Sequence, residues 1–326
     1  MLKIPDIGDM NNDISVVMTT YNGEKYICEQ IDSILSQTLP AREIVIVDDC
    51  STDATWQILQ DYAMRFPIIH VYRNDVNLGA HQNFRKAFSL STCNLIAPSD
   101  QDDIWCEDKL EKMREVILER NVDLVYSQEE VLMETGERKI SVQNMPDMKV
   151  LMWGNNLKGH TFLFKRKMLE VYDVVPTLSF DYAIAMQACM DGSWAVCDEP
   201  LSCWRRHSGV MTSFVSQNSE LIIEQISRRK KLWYVFKSIH NKSMPIKNSF
   251  SERAKLLCMR RDFKICGEIC ERVAEQSRVG LICASVLNMK VQWGGVKMKE
   301  KIAHAMWAFR QPWIYWYDMH NLKSLE

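Results

Sequence analysis

Short, continuously apolar runs alternate with segments of helical period over residues 14–126, and this alternation limits the folds open to the chain. Between the first two runs, Ile27, Ile31 and Ile34 recur at the spacing of one helix face. Strands that are apolar on both faces and joined by helices are typical of a parallel sheet covered on both sides. We therefore predict an α/β fold with strands at residues 14–18, 43–47, 68–72, 95–98 and 122–126.

Polar side chains follow three of these predicted strands at the point where each strand ends. They are the run 19–22, the pair Asp48 and Asp49, and the run 100–103. The carboxyl ends of parallel strands meet at one edge of the sheet, where ligands of α/β proteins bind. The sequence therefore predicts that the three polar groups share one crevice.

The run Asp100-Gln101-Asp102-Asp103 places three carboxylates within four residues, directly after an apolar strand. Like charges this close repel unless a cation or hydrogen-bond donors neutralise them. Oxygen ligands suit Mg²⁺ or Mn²⁺, ions that usually hold phosphates. The alternative is a solvated acidic turn before a helix that is predicted to begin near Glu107, with Asp103 as its cap.

Composition indicates a globular protein in a reducing compartment. The 326 residues are 47% hydrophobic and 25% charged, which is enough for a sizeable core. The 11 Cys form no Cys-x-x-Cys pair, which favours buried thiols over disulfides or a metal framework. No apolar run reaches the roughly 18 residues that span a bilayer, and the N-terminus lacks a secretory h-region. We expect a cytoplasmic protein.

Charge is divided unequally along the chain. Residues 1–220 hold 20 Lys and Arg against 33 Asp and Glu, whereas residues 221–326 hold 20 against 9. We predict an α/β domain at 1–215 and a basic, aromatic-rich helical region at 216–326. Its basic residues and Trp suit the inner face of an anionic plasma membrane, and a helical bundle is the alternative. Nucleic-acid binding is least favoured because no known motif accompanies the charge.

Five motifs in order resemble family 2 glycosyltransferases of the GT-A fold. They are Val16–Asn22, Ser33–Thr38, Ile46–Asp53, Asn77–Gly79 and Ser99–Trp105. The last motif, together with Gln82-Asn83-Phe84, resembles the rhamnosyltransferase-like subgroup. The resemblance is dense over 13–128 and stops near 215. It implies a Rossmann-like, mostly parallel mixed sheet flanked by helices.

The resemblance also implies roles for individual residues. Thr19 and Tyr21 match positions that hold the base and ribose, and Asp49 one that accepts from the base. Asp100 and Asp102 match the DxD motif, whose second Asp binds a metal, Mn²⁺ or Mg²⁺, on the donor diphosphate. His207 matches a histidine that can complete the metal site in the family. Asp181 matches the family's catalytic base. The alternative role for Asp181 is a helix N-cap, which is common for an Asp before a helical run. Phe180 is a departure from the family pattern, which often has an acidic residue at that position.

Four further residues are candidates for contacts with the acceptor or the diphosphate. His160 is a candidate for the acceptor site, and Trp105 packs either on a sugar or in the core. Arg205 and Arg206 pair either with the diphosphate or with the acidic domain. The full candidate set outside the DxD motif is Thr19, Tyr21, Asp49, Trp105, His160, Asp181, Arg205, Arg206 and His207.

The favoured function is a metal-dependent inverting transfer of a sugar from a UDP- or dTDP-sugar to a glycan, on a lipid-linked acceptor of surface polysaccharide. An inactive nucleotide-sugar-binding or scaffold protein is the alternative. A nucleotidyltransferase is disfavoured because it requires a Gly-rich phosphate loop after the first strand, where this chain has Thr19–Gly23.

Overall fold

A computed structural model of the chain describes residues 14–145, 148–152, 155, 157–175, 178–207, 245–260, 262, 264–274, 284, 287 and 288. The chain divides into two compact units. The first unit takes its residues from Met1–Met145, Asn156–Val171 and Ser179–Arg206, and the second from Pro146–Asn155, Tyr172–Leu178 and His207–Glu326. The predicted boundary at 215/216 lies outside the described residues and stays a prediction.

Strands and helices alternate through the first half of the chain, as the apolar pattern predicts. They are β1 (Ile14–Thr20), α1 (Ile27–Leu35), β2 (Glu43–Asp48), α2 (Thr55–Arg65), β3 (Ile69–Arg73), α3 (Ala80–Leu90), β4 (Leu95–Ser99), β5 (Ile104–Trp105), α4 (Lys109–Glu119), β6 (Leu124–Leu132) and β7 (Arg138–Ser141).

The second half mixes short helical turns with two further strands. Its elements are α5 (Met148–Leu151), a 3-10 turn (Gly159–Thr161), β8 (Phe162–Lys165), a 3-10 turn (Arg166–Met168), α6 (Leu169–Val174), α7 (Phe180–Asp191), β9 (Trp194–Arg205), α8 (Pro245–Cys258) and α9 (Lys264–Ala274). No helix of the described part is both long enough and apolar enough to cross a membrane.

The strands of the first unit form one mixed sheet in the order β3-β2-β1-β4-β8-β6-β9-β5, with β7 paired to the outer half of β6. The strands β3, β2, β1 and β4 are parallel, and β8 is antiparallel to both of its neighbours. The parallel half buries nearly every side chain of β1 and β2 between helices, which explains their unbroken apolar sequence. The predicted mixed, mostly parallel α/β fold is confirmed.

The acidic run leads into a strand, and the predicted helix begins later than expected. β5 pairs with β9 immediately after Asp103, and α4 begins at Lys109 with Asp108 at its N-cap position. Asp103 is therefore not the cap of this helix, which corrects the expectation. Two-residue strands carry no periodic signal, so the sequence pattern could not reveal β5.

In the second unit, α8 and α9 pack closely at a glycine. A Cβ on Gly267 would lie 2.4 Å from the Cys258 sulfur, so the two helices approach one another only because Gly267 has no side chain. Arg253 donates from Nη1 to the Met152 carbonyl at 3.0 Å. The basic and aromatic clusters at 228–236 and 307–317, on which the membrane expectation depends, lie outside the described residues.

Candidate active site

The carboxyl ends of β1, β2 and β4 carry the predicted ligand residues. Thr20 lies opposite Asp48 in the β1–β2 register, and Met18 lies opposite Ser99 in the β1–β4 register. Parallel pairing therefore brings Thr19, Tyr21, Asp49 and the run 100–103 to one edge of the sheet, as predicted. Thr19 is half-buried in β1, and the side chain of Tyr21 is 46% exposed.

Asp49 is buried and already serves as an acceptor for the neighbouring loop. Its Oδ1 accepts from the backbone N–H of Leu78 at 2.8 Å and from Nδ2 of Asn74 at 2.7 Å. Its Oδ2 accepts from the backbone N–H of Gly79 at 2.8 Å. Asp49 thus holds the predicted Asn77–Gly79 motif against β2, and base recognition by this carboxylate stays a prediction.

A histidine from a distant turn lies against the acidic run. His160 Nδ1 lies 3.3 Å from Oδ2 of Asp100 and 3.6 Å from Oδ2 of Asp103, while its Nε2 lies 2.8 Å from Oε2 of Glu129. The other oxygen of Glu129 pairs with Lys158. The imidazole is only 3% exposed, so His160 is placed to hold carboxylates in position, and its contact with an acceptor stays a prediction.

A buried lysine lies within electrostatic reach of the acidic run. Lys109 is fully buried, donates to the His160 carbonyl at 2.6 Å, and lies 4.0 Å from the centre of the Trp105 ring. Burial lowers the pKa of Lys109 to about 7, although the negative charge of Asp103 opposes the shift. Trp105 itself is buried in the core, in agreement with the core alternative, and its packing on a sugar stays a prediction.

The pKa values of the central pair are governed by burial and by their mutual charge. Burial raises the pKa of Asp103, the charges of Asp100 and Asp102 add to the rise, and His160 opposes it. Burial alone would lower the pKa of His160, but the charge of Asp103 and hydrogen bonds to Asp100 and Glu129 raise it above its usual value. The acidic neighbours therefore favour the imidazolium form of His160, while burial disfavours the carboxylate form of Asp103.

Arg205 and Arg206 lie at the end of β9. Arg205 donates from Nε to the Asp102 carbonyl at 3.1 Å and from Nη2 to Oε2 of Glu29 at 2.6 Å. The Arg206 guanidinium lies 4.4 Å from the centre of the Trp204 ring. For Arg205 the structure favours the second of the two expectations, pairing within the acidic domain over pairing with a diphosphate.

Asp181 lies in the first turn of α7, and Ser179 is the N-cap of that helix. Burial raises the pKa of the half-buried Asp181 carboxyl, a hydrogen bond with Ser179 opposes the rise, and the negative charge of Asp100 adds to it. Asp181 therefore lies within electrostatic reach of the acidic run. Phe180 fixes the start of the helix, because its ring packs against Gly159 and lies 4.7 Å from the ring of Phe84.

Three ligand atoms could share a divalent ion. One atom each from Asp100, Asp103 and His160 lie within 4.8 Å of one another, the one such group of three or more His, Cys, Asp or Glu in the described part of the chain. Oδ2 of Asp103 is buried and has no hydrogen-bond partner, so an ion would satisfy it. Two carboxylates and an imidazole suit Mn²⁺ better than Mg²⁺. The predicted ligand Asp102 is not in this group, and His207 belongs to the second unit, so their metal roles stay predictions.

The sequence interpretation missed Glu129, Lys158, Lys109 and Trp204, which surround His160. Glu129 and Lys109 are fully buried charges, and only the fold reveals that burial. The one available signal was the Gly159-His160-Thr161 motif, which drew attention to His160 without showing its partners.

The sheet and the acidic loop at its edge define a GT-A type α/β protein. A model of the family described as "Glycosyl transferase family 2" matches residues 15–187, and the chain belongs to that family. The family predicted from the five motifs is therefore confirmed.

Two curated relatives share the N-terminal part of the chain. The putative teichuronic acid biosynthesis glycosyltransferase TuaG of Bacillus subtilis is 37% identical over 123 residues, which cover 38% of this chain and 49% of that protein. The dTDP-rhamnosyl transferase RfbG of Shigella flexneri is 37% identical over 115 residues, which cover 34% and 40%. The chain thus spans half or less of the length of these relatives.

Two solved structures share the fold. The S. aureus TarS 1-349 complex with UDP-GlcNAc has a TM-score of 0.56 at 17% identity and covers 94% of this chain and 89% of that one. The mannosyltransferase PcManGT of Pyrobaculum calidifontis, in complex with GDP-Man and Mn2+, has a TM-score of 0.51 at 19% identity and covers 96% and 88%. At these identities the likeness shows the fold alone.

Proposed function

We propose that this protein is an inverting glycosyltransferase that moves a sugar from a UDP- or dTDP-sugar to a hydroxyl of a growing, lipid-linked surface polysaccharide. One observation carries the proposal: the run 100–103 lies at the sheet edge that also bears Asp49, with the Asp181 carboxyl in its electrostatic reach. Relatives named for dTDP-rhamnosyl transfer and for UDP-glucose transfer to a diphosphoundecaprenol-linked sugar support the donor and the acceptor class.

The binding roles follow from where the loops end. Thr19 and Tyr21 hold the nucleoside at the end of β1, and Asp49 accepts from N3–H of the base as well as ordering the Asn77–Gly79 motif. Asp100 and Asp102 face the ribose and the diphosphate. These roles rest on the family resemblance and on the shared sheet edge.

The chemistry requires one base and one displacement. Asp181 takes the proton of the acceptor hydroxyl while that oxygen forms a bond to the anomeric carbon. The bond from that carbon to the diphosphate oxygen breaks, and its electron pair leaves with the nucleoside diphosphate. A single displacement inverts the anomeric centre. The raised pKa of Asp181 makes it a better proton acceptor than an exposed Asp.

A divalent ion, Mn²⁺ or Mg²⁺, would neutralise the charge that develops on the leaving diphosphate. Two sets of residues could hold it. The resemblance favours Asp102 with His207, and the geometry favours Asp100 with Asp103 and His160. Both sets draw on the same acidic run.

The decisive experiment is transfer from UDP- and dTDP-sugars to a lipid-linked glycan acceptor, with Mn²⁺, with Mg²⁺ and with a chelator. Asp181→Asn should abolish transfer while nucleotide binding survives. If Asp102→Asn and His207→Gln lose the dependence of activity on Mn²⁺ while Asp103→Asn keeps it, the ion belongs to the set of Asp102 and His207. If only Asp103→Asn loses that dependence, the ion belongs to the set of Asp100, Asp103 and His160. An active Asp181→Asn variant would exclude Asp181 as the base, and binding of nucleotide sugars without turnover on any acceptor would favour a scaffold role.

We also propose that the basic region, residues 216–326, holds the protein at the inner face of the plasma membrane. Its excess of Lys and Arg over Asp and Glu supports the proposal. Co-sedimentation with anionic vesicles should exceed that with neutral ones and fall with salt. Equal recovery with both kinds of vesicle would contradict it.

A further inference from the structure

The side chain of Gln101 joins two loops that lie 80 residues apart in sequence. Its Oε1 accepts from the backbone N–H of Tyr21 at 2.9 Å, and its Nε2 donates to the Tyr21 carbonyl at 3.0 Å. One side-chain amide thus satisfies both backbone groups of a single residue, as a neighbouring strand would. We call this pair of hydrogen bonds the Gln101 clasp.

Gly23 leaves the space that the Gln101 clasp occupies. A Cβ on Gly23 would lie 2.3 Å from Oε1 and 2.7 Å from Cδ of Gln101. Gly23 does not have the positive φ that favours glycine, so its lack of a side chain is explained by the approach of Gln101 rather than by backbone strain.

The two joined loops carry different parts of the proposed donor site. The β1 loop bears Tyr21, and Gln101 lies between Asp100 and Asp102 of the acidic run. We propose that Gln101 is a positioning residue that holds the nucleoside loop and the diphosphate loop at the spacing of one nucleoside diphosphate. The inference rests on the proposed function, since it assumes that such a ligand spans both loops.

Ligand length provides the test. A nucleoside meets the acidic run through its ribose alone, whereas a nucleoside diphosphate needs both loops at the correct separation. Without the Gln101 clasp the two loops move independently. Binding of the ligand must then order them, and the free energy this requires weakens the affinity. A purely structural defect would weaken both ligands alike.

The experiment measures, by calorimetry with Mn²⁺, the Kd of UDP and dTDP, and by NMR the Kd of the matching nucleoside. Gln101→Met keeps the side-chain length and adds no charge beside the carboxylates, but removes both hydrogen bonds. We expect the Kd of the better diphosphate to rise about fivefold, as the loss of two partly exposed hydrogen bonds would give, and the Kd of the nucleoside to rise less. Gln57→Met, at an exposed position of α2, is the matched control and should leave both values unchanged.

Gly23→Ala displaces the clasp without altering Gln101, and forms a double-mutant cycle with Gln101→Ala, which is also measured alone. It should raise the Kd of the diphosphate in the wild type and have no further effect in the Gln101→Ala background. Equal losses in both backgrounds, equal losses for nucleoside and diphosphate, or an unchanged Kd in Gln101→Met would each overturn the inference. A wild type that binds neither UDP nor dTDP would instead count against the proposed function.

Discussion

Nε2 of His160 lies 2.8 Å from Oε2 of Glu129, and this contact joins two side chains that are almost completely buried. A hydrogen bond with His160 and the charges of His160 and Lys158 lower the pKa of Glu129, although burial alone would raise it. One carboxylate from the middle of the sheet therefore anchors the imidazole that faces Asp100 and Asp103.

Glu129→Gln should destabilise the fold by about 3 kcal/mol, because removal of one partner leaves buried cations without their counter-charge. Urea unfolding measures the change. The adjacent Glu130→Gln is the matched control, since the Glu130–Arg138 pair is partly exposed and its loss should cost under about 1 kcal/mol. Similar losses in the two variants would contradict a special role for Glu129.

Gly159→Ala should lower both stability and turnover. The new Cβ would lie 2.3 Å from Cζ of Phe180, and overpacking of this kind costs about 1–3 kcal/mol. The ring of Phe180 must then move, and with it the first turn of α7 that carries Asp181. Phe180→Leu in the Gly159→Ala background should recover part of the stability, measured by thermal unfolding. No recovery would show that the clash is absorbed elsewhere.

Asp49→Asn should release the Asn77–Gly79 motif. An amide can replace only one of the carboxylate oxygens, so its NH₂ would face a backbone N–H of Leu78 or Gly79. We expect the Kd for UDP or dTDP to rise about tenfold from the lost hydrogen bonds. Asp75→Asn, at an exposed position of the same loop, should bind as the wild type does. Equal affinities in the two variants would show that this loop does not contribute to nucleotide binding.

Glu43 should contribute to stability against acid. It is buried where β2 begins and accepts hydrogen bonds from Ser15 and Thr92. Burial alone would raise the pKa of Glu43, but these bonds outweigh it and lower the pKa below the ordinary value of 4.5. A lowered folded-state pKa means that the contribution is complete above the ordinary value and is lost as pH falls through the folded value.

Unfolding of Glu43→Gln should therefore depend less on pH than that of the wild type below about pH 5. Denaturant titrations between pH 3 and pH 7 make the comparison. The two proteins should converge at the acid end, where the wild-type carboxyl is protonated. Parallel curves for wild type and variant would exclude the mechanism.

The parallel half of the sheet was predictable because burial on both faces leaves an unambiguous apolar pattern. The run 95–98 predicts a strand, and β4 covers Leu95–Ser99. β9 covers Trp194–Arg205, and its full length was not predictable from the sequence. Its polar middle section, with Pro200, coincides with a register shift against Ser127 and Gln128, and such an irregularity breaks the pattern that marks a strand.

The candidate site was predictable where its residues are neighbours in sequence. Asp100 and Asp102 follow one strand, and the order of strands determines where they lie. Glu129 and His160 are brought together by pairing between β6 and β8, and the predicted strand at 122–126 ended before Glu129. A carboxylate is expected to be solvent-exposed unless the fold brings counter-ions to it. The burial of Glu129 could therefore not be inferred from its position in the sequence.

β9 decides when the acidic loop can acquire its final form during synthesis. Its last residue donates from the backbone to Oδ1 of Asp103, 102 residues earlier, and its Cys203 pairs with Ile104. A nascent chain that ends before Arg205 can form the parallel strands β1 to β4. It still lacks the end of β9, which pairs with this loop. The crevice beside the acidic run is thus completed near the end of the first unit's synthesis, since long-range pairings of this kind form late.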